Sequence, residues 1–482
     1  MRILPILALL LLPFTILAED WSRFRGPNGS GVSPDAGFPT EFSKAVWRTS
    51  VRPGKSSPVL SRRHIFLTAF ENGKLFTQCF DRVTGKLLWE RSVDRPREED
   101  VNPLNHPAAI TPVTDGENVY VFFKDFGLIS YDAAGALRWK VPLGPFANLM
   151  GLGASPILAG NAVVLLADQM DNSYIAAFDR RNGEIRWKIA REEAESWGTP
   201  LLYNPPGAAP QILTASRGQF GAHLVENGKR TFSQQGVSPT ILASPILAQD
   251  TVFVFGYGAE SVTPFSARLA KYDKNQDGQL SPDEYGSDAV LVGLGKYAGN
   301  RDLIVTQEKW DAFQRRAGGI SRLMALRLER DGNSIHAREL WRYDKSFVGV
   351  IPCPILYNGV LFVVKNGGIL TSFDPDTGAV LKTARIPGAI GGYSASPVAA
   401  DGKLFIASED GKVAIVRAAR DWELITLNDL GEPCHATPAL SDGRIYLRTA
   451  EALYCFASTK RLGDPMRALQ QGLSYIADKP SA

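Results

Sequence analysis

A short motif that recurs along the chain constrains the fold more than any other feature of the sequence. It is a small residue followed by proline and an apolar run, and it occurs eight times. Successive prolines are separated by 54, 44, 44, 45, 109, 43 and 41 residues. One interval is about 65 residues longer than the others, which indicates an insertion within a repeat. The motifs are Ser57-Pro58, Thr111-Pro112, Ser155-Pro156, Thr199-Pro200, Ser244-Pro245, Cys353-Pro354, Ser396-Pro397 and Thr437-Pro438.

The first repeat shows the internal pattern of a unit. A brief apolar run after Pro58 is followed by runs at 64–70, 74–80 and 86–89, with Gly-containing turns before the last two. Such short runs, rich in β-branched and aromatic residues, predict four antiparallel strands. Four strands in about 44 residues are typical of a propeller blade. We expect the tryptophans that recur in the fourth strand to pack between successive blades, namely Trp89, Trp139, Trp187 and Trp341.

The two ends of the repeat region complement each other. The last repeat has three strand-like runs but lacks a fourth run with tryptophan, whereas 45–48, which contains Trp47, stands alone before the first motif. Pairing this orphan strand with the last repeat closes the ring and removes both unpaired sheet edges. The sequence therefore predicts an all-β, eight-bladed propeller over residues 19–458, closed by an N-terminal strand.

The long interval contains a twelve-residue pattern that is typical of a calcium-binding EF-hand. Gly278 stands at the position of the sharp turn, and Ser281-Pro282 suits the start of the exit helix. We predict a small α-helical EF-hand insertion at 259–319 that binds calcium. Its ligands would be the side chains of Asp273, Asn275, Asp277, Ser281 and Glu284 and the backbone carbonyl of Gln279. The alternative is a solvated acidic turn in a surface loop.

A degenerate second half-site follows the calcium loop. It keeps Asn300 and Asp302, but Ala298 replaces the first acid, Leu303 the glycine and Lys309 the bidentate glutamate. We therefore expect it to hold no calcium and to serve as a structural partner. Its apolar residue Val305 should pair with Leu280 across the two loops, while Trp310 and Phe313 line one face of the closing helix.

The chain termini and composition bear on localisation. Residues 1–18 combine Arg2 with an apolar run too short for a bilayer span, which predicts a secretory signal and a periplasmic or extracellular protein with no membrane span after cleavage. The chain has 53 Lys and Arg against 50 Asp and Glu without a basic run, so nucleic acid is not an expected partner. In the tail, 459–482, a short helix beginning at Pro465 is predicted to dock one apolar face on the propeller.

The four cysteines are widely spaced, at Cys79, Cys353, Cys434 and Cys455. This spacing excludes a CxxC metal or redox motif and a disulfide-dense scaffold. Each lies in or beside an apolar run, which favours buried, inert thiols. No disulfide is predicted.

Two segments carry a family resemblance. Cys79 to Trp89, Cys-Phe-Asp-Arg-Val-Thr-Gly-Lys-Leu-Leu-Trp, and Phe178 to Trp187 resemble the pyrroloquinoline-quinone (PQQ) repeat. The opening Trp-Ser-Arg-Phe-Arg-Gly-Pro-Asn-Gly-Ser-Gly at 21–31 resembles the start of many secreted bacterial propellers of this group. The resemblance covers residues 20–458 and is weakest in the fourth repeat, where 223–232 lacks the Asp and Trp.

This resemblance implies two alternative functions. One is a quinoprotein dehydrogenase, in which PQQ and calcium lie at the propeller axis; the alcohol dehydrogenases of the family commonly have adjacent cysteines, which this chain lacks. The other is a non-catalytic binding or scaffold protein that uses its rim or channel mouth for a protein partner or a small ligand. The family includes a lipoprotein that helps to assemble outer-membrane barrels through its rim, but no lipid-attachment cysteine follows the apolar run here. We favour the second function.

The segments just before the small-residue–Pro motifs should converge at one mouth of the channel. Four residues in these segments could contribute to a ligand site there, because imidazole and aromatic groups at a concave mouth can bind small molecules. They are His106, Trp197, Tyr393 and His435.

Overall fold

Each repeat folds into one four-stranded antiparallel sheet, because its short apolar runs are joined by tight turns. A computed structural model describes residues 21–98, 105–148, 150–258, 263–297, 302–317, 319–331, 334–345 and 351–458. It contains eight such sheets, which confirms the predicted all-β, eight-bladed propeller. The predicted signal at 1–18 and the predicted helix in 459–482 lie outside the described residues.

The strands follow the repeats in chain order, and each blade begins at its innermost strand. The closing strand is β1 (Trp47–Ser50), and blade 1 has β2 (Val59–Leu60), β3 (His64–Glu71), β4 (Lys74–Asp81) and β5 (Leu87–Asp94). Blade 2 has β6 (Val113–Thr114), β7 (Asn118–Phe123), β8 (Gly127–Asp132) and β9 (Leu137–Pro142). Blade 3 has β10 (Ile157–Ala159), β11 (Ala162–Ala167), β12 (Tyr174–Asp179) and β13 (Ile185–Ala190). Blade 4 has β14 (Leu201–Tyr203), β15 (Gln211–Ser216), β16 (Gln219–Leu224) and β17 (Arg230–Gln235).

The second half of the ring repeats this plan. Blade 5 has β18 (Ile246–Ala248), β19 (Thr251–Gly256), β20 (Arg322–Asp331) and β21 (Ser334–Tyr343). Blade 6 has β22 (Ile355–Tyr357), β23 (Val360–Lys365), β24 (Ile369–Phe373) and β25 (Val380–Arg385). Blade 7 has β26 (Val398–Ala400), β27 (Lys403–Ala407), β28 (Lys412–Arg417) and β29 (Glu423–Asp429). Blade 8 has β30 (Ala439–Ser441), β31 (Arg444–Arg448) and β32 (Ala452–Ala457).

The N-terminal strand completes the last blade, as predicted. Strand β1 pairs antiparallel with β32, and Trp47 lies opposite Cys455. The sheet order of blade 8 is therefore β30, β31, β32, β1. Closure gives the outer edge of this blade a hydrogen-bonded partner, which an open ring would leave exposed.

The recurrent tryptophans lie between blades, which confirms their predicted position. Trp89 packs on Gly135 of blade 2, and its Nε1 donates to the carbonyl oxygen of Ala133 at 2.9 Å. Gly135 has φ +81°, and a Cβ added there would lie 2.7 Å from the indole ring. Glycine is therefore required twice over, by the backbone conformation and by the close approach. Trp139, Trp187 and Trp341 make equivalent bonds to the next blade's Arg180, Val225 and Pro375.

The long insertion lies at one of the two faces of the ring. We call the face where the small-residue–Pro motifs stand the mouth face and the opposite face the far face. Strand β19 runs toward the mouth face, so the long insertion before β20 replaces a turn at that face. The insertion contains α1 (Phe265–Tyr272), α2 (Pro282–Tyr285), α3 (Ala289–Tyr297) and α4 (Gln307–Ala317).

The insertion has a core of its own, separate from those of the blades. Leu280 and Val305 form an antiparallel bridge with backbone bonds of 3.0 and 2.9 Å, which confirms the predicted pairing of the two loops. Both are fully buried, and Phe265, Tyr285 and Trp310 pack around them. Among the described residues, no helix here or elsewhere has both the length and the apolar character needed to cross a membrane.

Candidate functional site

A closed ring of hydrogen bonds surrounds the propeller axis. It is built from the eight small residues that precede proline, one from each blade. The backbone N–H of each donates to the side chain of its equivalent in the next blade, with donor–acceptor distances of 2.8 to 3.2 Å. Seven acceptors are hydroxyl oxygens, and the eighth is the sulfur of Cys353, which accepts from Ser244 at 3.2 Å. The motif found in the sequence is thus the element that ties successive blades together at the axis.

A cavity of about 480 Å³ lies within this ring. All eight ring residues line it. Phe24, from the segment before the propeller, is also part of the lining. No aspartate or glutamate is among the described residues that form the wall.

The N-terminal segment, residues 21–35, crosses the far face and covers that end of the channel. It bonds to separate blades, in or directly beside their innermost strands. The Trp21 carbonyl oxygen accepts from Leu60 at 2.8 Å, and Arg23 Nη2 donates to the Pro200 carbonyl at 2.6 Å. Further along, Ser33 donates its N–H to Ala399 at 2.9 Å. The segment therefore forms a floor beneath the cavity.

Two arginines in this floor are buried without a carboxylate partner among the described residues. Arg23 is 7% exposed and Arg25 is fully buried. Arg25 Nη2 donates to the carbonyl oxygens of Pro354, at 2.8 Å, and Ser30, at 3.3 Å. Burial, together with the smaller effect of the neighbouring Arg25 charge, lowers the pKa of Arg23 to about 9. Burial also lowers the pKa of Arg25, an effect that the adjacent Cys353 sulfur opposes.

The cavity wall has two sides of different chemistry at the mouth face. Connections that lead into blades 3 to 6 supply apolar groups, including Met150, Trp197 and Ile351. On the opposite side, Lys55 and His435 are polar and partly buried. Desolvation lowers the pKa of both groups, and Glu409 nearby opposes the shift in each. The mouth therefore suits a ligand with an apolar part and a polar or anionic part.

The structure brings two of the four predicted mouth residues to the cavity. Trp197 and His435 line it, and Trp197 Nε1 donates to the carbonyl oxygen of Gly151 at 2.8 Å. The other two are not among the lining residues. Tyr393 is fully buried, and its hydroxyl donates to Ala389 at 2.7 Å. His106 packs edge-on against Phe70, and burial lowers its pKa to about 4.

The predicted calcium loop makes a sharp turn at its glycine. Gly278 has φ +77°, as a sharp turn requires. The loop amides point inward at the predicted ligands. Asp273 accepts from the N–H groups of Gln276 and Gly278, at 2.8 and 3.1 Å, and Asp277 accepts from Gln279 at 2.8 Å.

Glu284 joins the two ends of this loop. Its Oε2 accepts from the N–H and the hydroxyl of Ser281, at 2.9 and 2.8 Å, and its Oε1 accepts from the N–H of Lys274 at 3.0 Å. These hydrogen bonds, chiefly those from Ser281, lower the pKa of Glu284 to about 2. Across the described part of the chain, no three His, Cys, Asp or Glu side chains are grouped as metal ligands. In the loop, each predicted carboxylate accepts from loop amides instead.

The second half-site carries a cation of its own. Lys309 Nζ donates to Asp302 Oδ1 at 2.6 Å and to the carbonyl oxygen of Ile304 at 2.7 Å. By alignment with the first loop, these are the fifth and seventh ligand positions. Leu303, at the glycine position, has φ +67°, so the turn is kept without glycine. An ammonium group thus occupies the ligands that a calcium ion would otherwise use.

Comparison with known proteins agrees with this architecture. A family model described as outer membrane protein assembly factor BamB matches residues 40–171 and 171–461. The chain belongs to this family of PQQ-repeat propellers. The family's BamB proteins of Escherichia coli (strain K12) and Shigella dysenteriae are each 25% identical over 217 residues, 43% of this chain and 47% of the relative. The match therefore spans about half the length of these relatives.

Solved structures show the same fold. BamB from Moraxella catarrhalis superposes with a TM-score of 0.53 at 13% identity, covering 87% of this chain and 99% of that one. A europium-containing methanol dehydrogenase superposes with a TM-score of 0.55 at 10% identity, covering 89% of both chains. At these identities the likeness establishes the propeller and leaves its activity open.

The axial cavity of this BamB-family member does not fit a calcium–quinone centre. Calcium prefers several oxygen ligands, carboxylates above all. The described lining supplies hydroxyl groups and two side-chain amides but no carboxylate, and the two amides, Asn105 and Asn366, belong to connections on opposite sides of the ring. The four cysteines are unpaired and buried, and none is adjacent to another in the sequence.

One buried polar network was not anticipated from the sequence. Arg191 Nε donates to Asp168 Oδ1 at 2.7 Å, and Ser196 donates its hydroxyl to Asp168 Oδ2 at 2.7 Å. Arg191 Nη1 lies 2.8 Å from His223 Nε2. His223 Nδ1 lies 3.0 Å from the Gly228 carbonyl oxygen, which can only accept, so Nδ1 carries the proton and Nε2 accepts from Arg191. The members satisfy one another's hydrogen-bonding groups, and the network links blades 3 and 4.

Proposed function

We propose that this chain is an exported, calcium-binding propeller that acts as a non-catalytic binding or scaffold protein. Its binding surface would be the mouth of the axial channel. The observation that carries the proposal is the chemistry of the cavity wall, where hydroxyl and apolar groups predominate and the described residues offer no carboxylate. Such a wall can bind a partner but provides few groups for acid–base or metal chemistry.

The occupant of the mouth would be a protein partner. The names of the family model and of its relatives refer to the assembly of outer membrane proteins. An apolar side containing Met150 and Trp197 facing Lys55 and His435 suits a polypeptide segment that presents an apolar residue beside an acidic one. A small ligand of the same chemistry is the alternative.

Photo-crosslinking in the organism that encodes the protein tests this surface. A photoreactive phenylalanine analogue at Met150, which is 38% exposed at the mouth, should give a discrete crosslinked product. The same analogue at Val83, which is 64% exposed in a far-face turn, is the matched control. Trp197→Ala should weaken the crosslink at position 150. Equal products at both positions, or none at either, would contradict binding at the mouth.

The competing function is a quinoprotein dehydrogenase with PQQ and calcium at the axis. The fold shared with a methanol dehydrogenase favours it, and the cavity wall disfavours it. Incubation with PQQ and calcium, gel filtration and absorbance spectroscopy separate the two, together with a dye-linked alcohol assay. We expect no retained cofactor and no turnover. A stoichiometric chromophore with alcohol oxidation would establish the enzyme.

We further propose one calcium ion at Asp273 to Glu284. Asp273, Asn275 and Asp277 would supply side-chain oxygens, Gln279 its carbonyl, Ser281 a direct or water-mediated contact, and Glu284 a bidentate carboxylate. Titration calorimetry of the wild type should show one site, and Glu284→Ala should lose most of the binding. Glu308→Ala, in the first turn of α4, is the control and should bind as the wild type does.

A further inference from the structure

The seven hydroxyl groups of the axial ring are hydrogen-bond donors as well as acceptors. Each hydroxyl oxygen accepts one backbone N–H from the preceding blade, at 2.8 to 3.2 Å. Across the described residues, none of the seven O–H groups donates to a protein atom, although the residues that carry them are only 2 to 4% exposed. Buried donors are normally paired, so we expect their acceptor in whatever occupies the cavity that these residues line.

Two positive charges lie against this ring from the far face. Arg23 Nη2 donates to the carbonyl oxygen of Pro200 at 2.6 Å, and Arg25 Nη2 donates to that of Pro354 at 2.8 Å. Each of these prolines directly follows a member of the axial ring. Both arginines are buried, and neither has a carboxylate partner among the described residues. Because an uncompensated buried charge is costly, the two arginines favour a negative charge in the cavity beside the ring.

A second set of eight residues lines the cavity toward the mouth face, each two positions before a member of the axial ring. In blades 7, 8 and 1 these residues are polar, namely Ser394, His435 and Lys55, whereas in blades 2 to 6 they are alanine, glycine, tryptophan, leucine and isoleucine. The carboxylate of Glu409 accepts from the Ser394 hydroxyl, but Glu409 is not among the lining residues. Polar donors are therefore concentrated over one arc of the axial ring, formed by Ser396, Thr437 and Ser57.

We propose that this arc of the axial ring binds one phosphate group, either as the free ion or as part of a small phosphate ester. The ring hydroxyls would donate to its oxygens, Lys55 would add a charge-assisted hydrogen bond, and His435 would donate a ring N–H. Phosphate suits this set because it has more acceptor oxygens than a carboxylate. A cation is disfavoured, because each hydroxyl oxygen already accepts an N–H and the described lining has no carboxylate.

The size of the cavity bears on the form of this ligand. Its volume of about 480 Å³ leaves room for a small organic group beside the phosphate, against the apolar part of the wall. The site is distinct from the mouth surface proposed for a protein partner, and the inference does not depend on that function.

Titration calorimetry of the full chain with inorganic phosphate tests the site, in a calcium-free buffer held at constant ionic strength with chloride. We expect saturable binding of one phosphate per chain. Glycerol phosphate, titrated in the same way, distinguishes the two forms of the ligand. Tighter binding of glycerol phosphate than of inorganic phosphate would support an ester, and equal or weaker binding would support the free ion. Saturable binding of neither compound would overturn the proposal.

Exchanging oxygen for sulfur within the ring tests the role of the hydroxyl donors. Ser396→Cys replaces the O–H by a weak S–H donor but keeps an acceptor for the ring, because the sulfur of Cys353 already accepts the Ser244 N–H at 3.2 Å. We expect the Kd for phosphate to rise about tenfold. Ser155→Cys makes the same exchange on the apolar side of the ring and should bind phosphate as the wild type does. Equal Kd values in the two variants would contradict the proposed arc.

The reverse exchange provides a test that does not depend on losing a group. Cys353→Ser adds a hydroxyl beside Ser396 and should lower the Kd for phosphate about threefold. Unchanged or weaker binding, with a melting temperature equal to that of the wild type, would count against donation by the ring. Trp197→Ala should leave phosphate binding unchanged while weakening the crosslink at position 150, so the two proposals can fail separately.

Discussion

The backbone N–H of Thr437 donates to the hydroxyl oxygen of Ser57 at 3.1 Å, across 380 residues of chain. This bond joins blade 8 to blade 1 and completes the ring around the axis. Because the donor is buried, its bond cannot be replaced by bulk water if the acceptor is lost.

Removing this acceptor should destabilise the propeller. Ser57→Ala leaves the Thr437 N–H without its partner, so we expect the free energy of unfolding to fall by about 1–3 kcal/mol. Urea denaturation followed by fluorescence measures the loss. Ser57→Thr is the control, because threonine serves at other ring positions and retains the hydroxyl. A similar loss in both variants would show that packing, rather than the bond, is responsible.

The contact between Gly135 and Trp89 can be separated from backbone strain. Gly73→Ala, at φ +74° with nothing near its Cβ position, should cost only the strain of the left-handed conformation, about 1–2 kcal/mol. Gly135→Ala, at φ +81°, adds a clash with the indole and should cost about 1–3 kcal/mol more. Equal losses in thermal or chemical denaturation would show that the ring tolerates a methyl group there.

The ion pair between Asp168 and Arg191 should be important for stability. Asp168→Asn leaves the buried Arg191 guanidinium with only the more distant Glu193 carboxylate, at 3.6 Å, and we expect a loss of about 3 kcal/mol in unfolding free energy. Glu329→Gln breaks an exposed pair with Arg338 and should cost about 1 kcal/mol or less. Comparable losses in the two variants would contradict a special role for the buried network.

The protonation of His223 should make stability depend on pH. Burial, with a further contribution from Arg191, lowers its pKa to about 4. In the unfolded chain the group takes up a proton near pH ~6.5, so unfolding becomes easier as pH falls from ~6.5 toward 4. His106 shifts in the same direction and adds to the effect.

The free energy of unfolding, measured by denaturation at pH ~7 and at pH ~5, checks this expectation. Both pH values lie above the range in which ordinary carboxylates titrate. His223→Gln should lose less stability than the wild type between the two pH values. His336→Gln, at an exposed side chain, should behave as the wild type does. If the stability of His223→Gln depends on pH as strongly as that of the wild type, His223 is not the cause of the pH dependence.

The lysine in the second half-site suggests how to create a calcium site. Ala298→Asp with Lys309→Glu restores both missing carboxylates and removes the ammonium, while Leu303 already has the required φ. Calorimetry should then show two sites instead of the one proposed for the wild type. Lys309→Ala alone, which lacks the bidentate ligand, should remain at one. A double variant with one site would mean that the second loop is more distorted than its backbone suggests.

Much of this architecture follows from the repeated parts of the sequence. The number of blades, the pairing of Trp47 with the last blade and the bridge between Leu280 and Val305 were all predicted, because periodic motifs and fixed loop positions identify them. The same reasoning placed Trp197 and His435 at the cavity.

The non-periodic parts could not be predicted in this way. Arg23 and Arg25 each donate to a proline carbonyl more than 170 residues away in the chain, so no local pattern identifies them as buried. The buried network is made of residue types that usually lie at the protein surface, namely Asp168, Arg191 and His223. His106 and Tyr393 occupy the predicted connections, but their side chains turn into local packing.

The segment that covers the far face also dictates an order of events during folding. It is synthesised before any blade, yet it bonds to blades 1, 2, 4, 6 and 7, in or directly beside their innermost strands. Its neighbour β1 finds its partner only when β32 has been made, near residue 457. Residues 21–35 and β1 therefore cannot complete their native contacts until nearly the whole chain has been synthesised. Contacts of such large sequence separation form slowly. A nascent chain that stalls within the last blade would expose both the open channel and the waiting segment to chaperones and proteases.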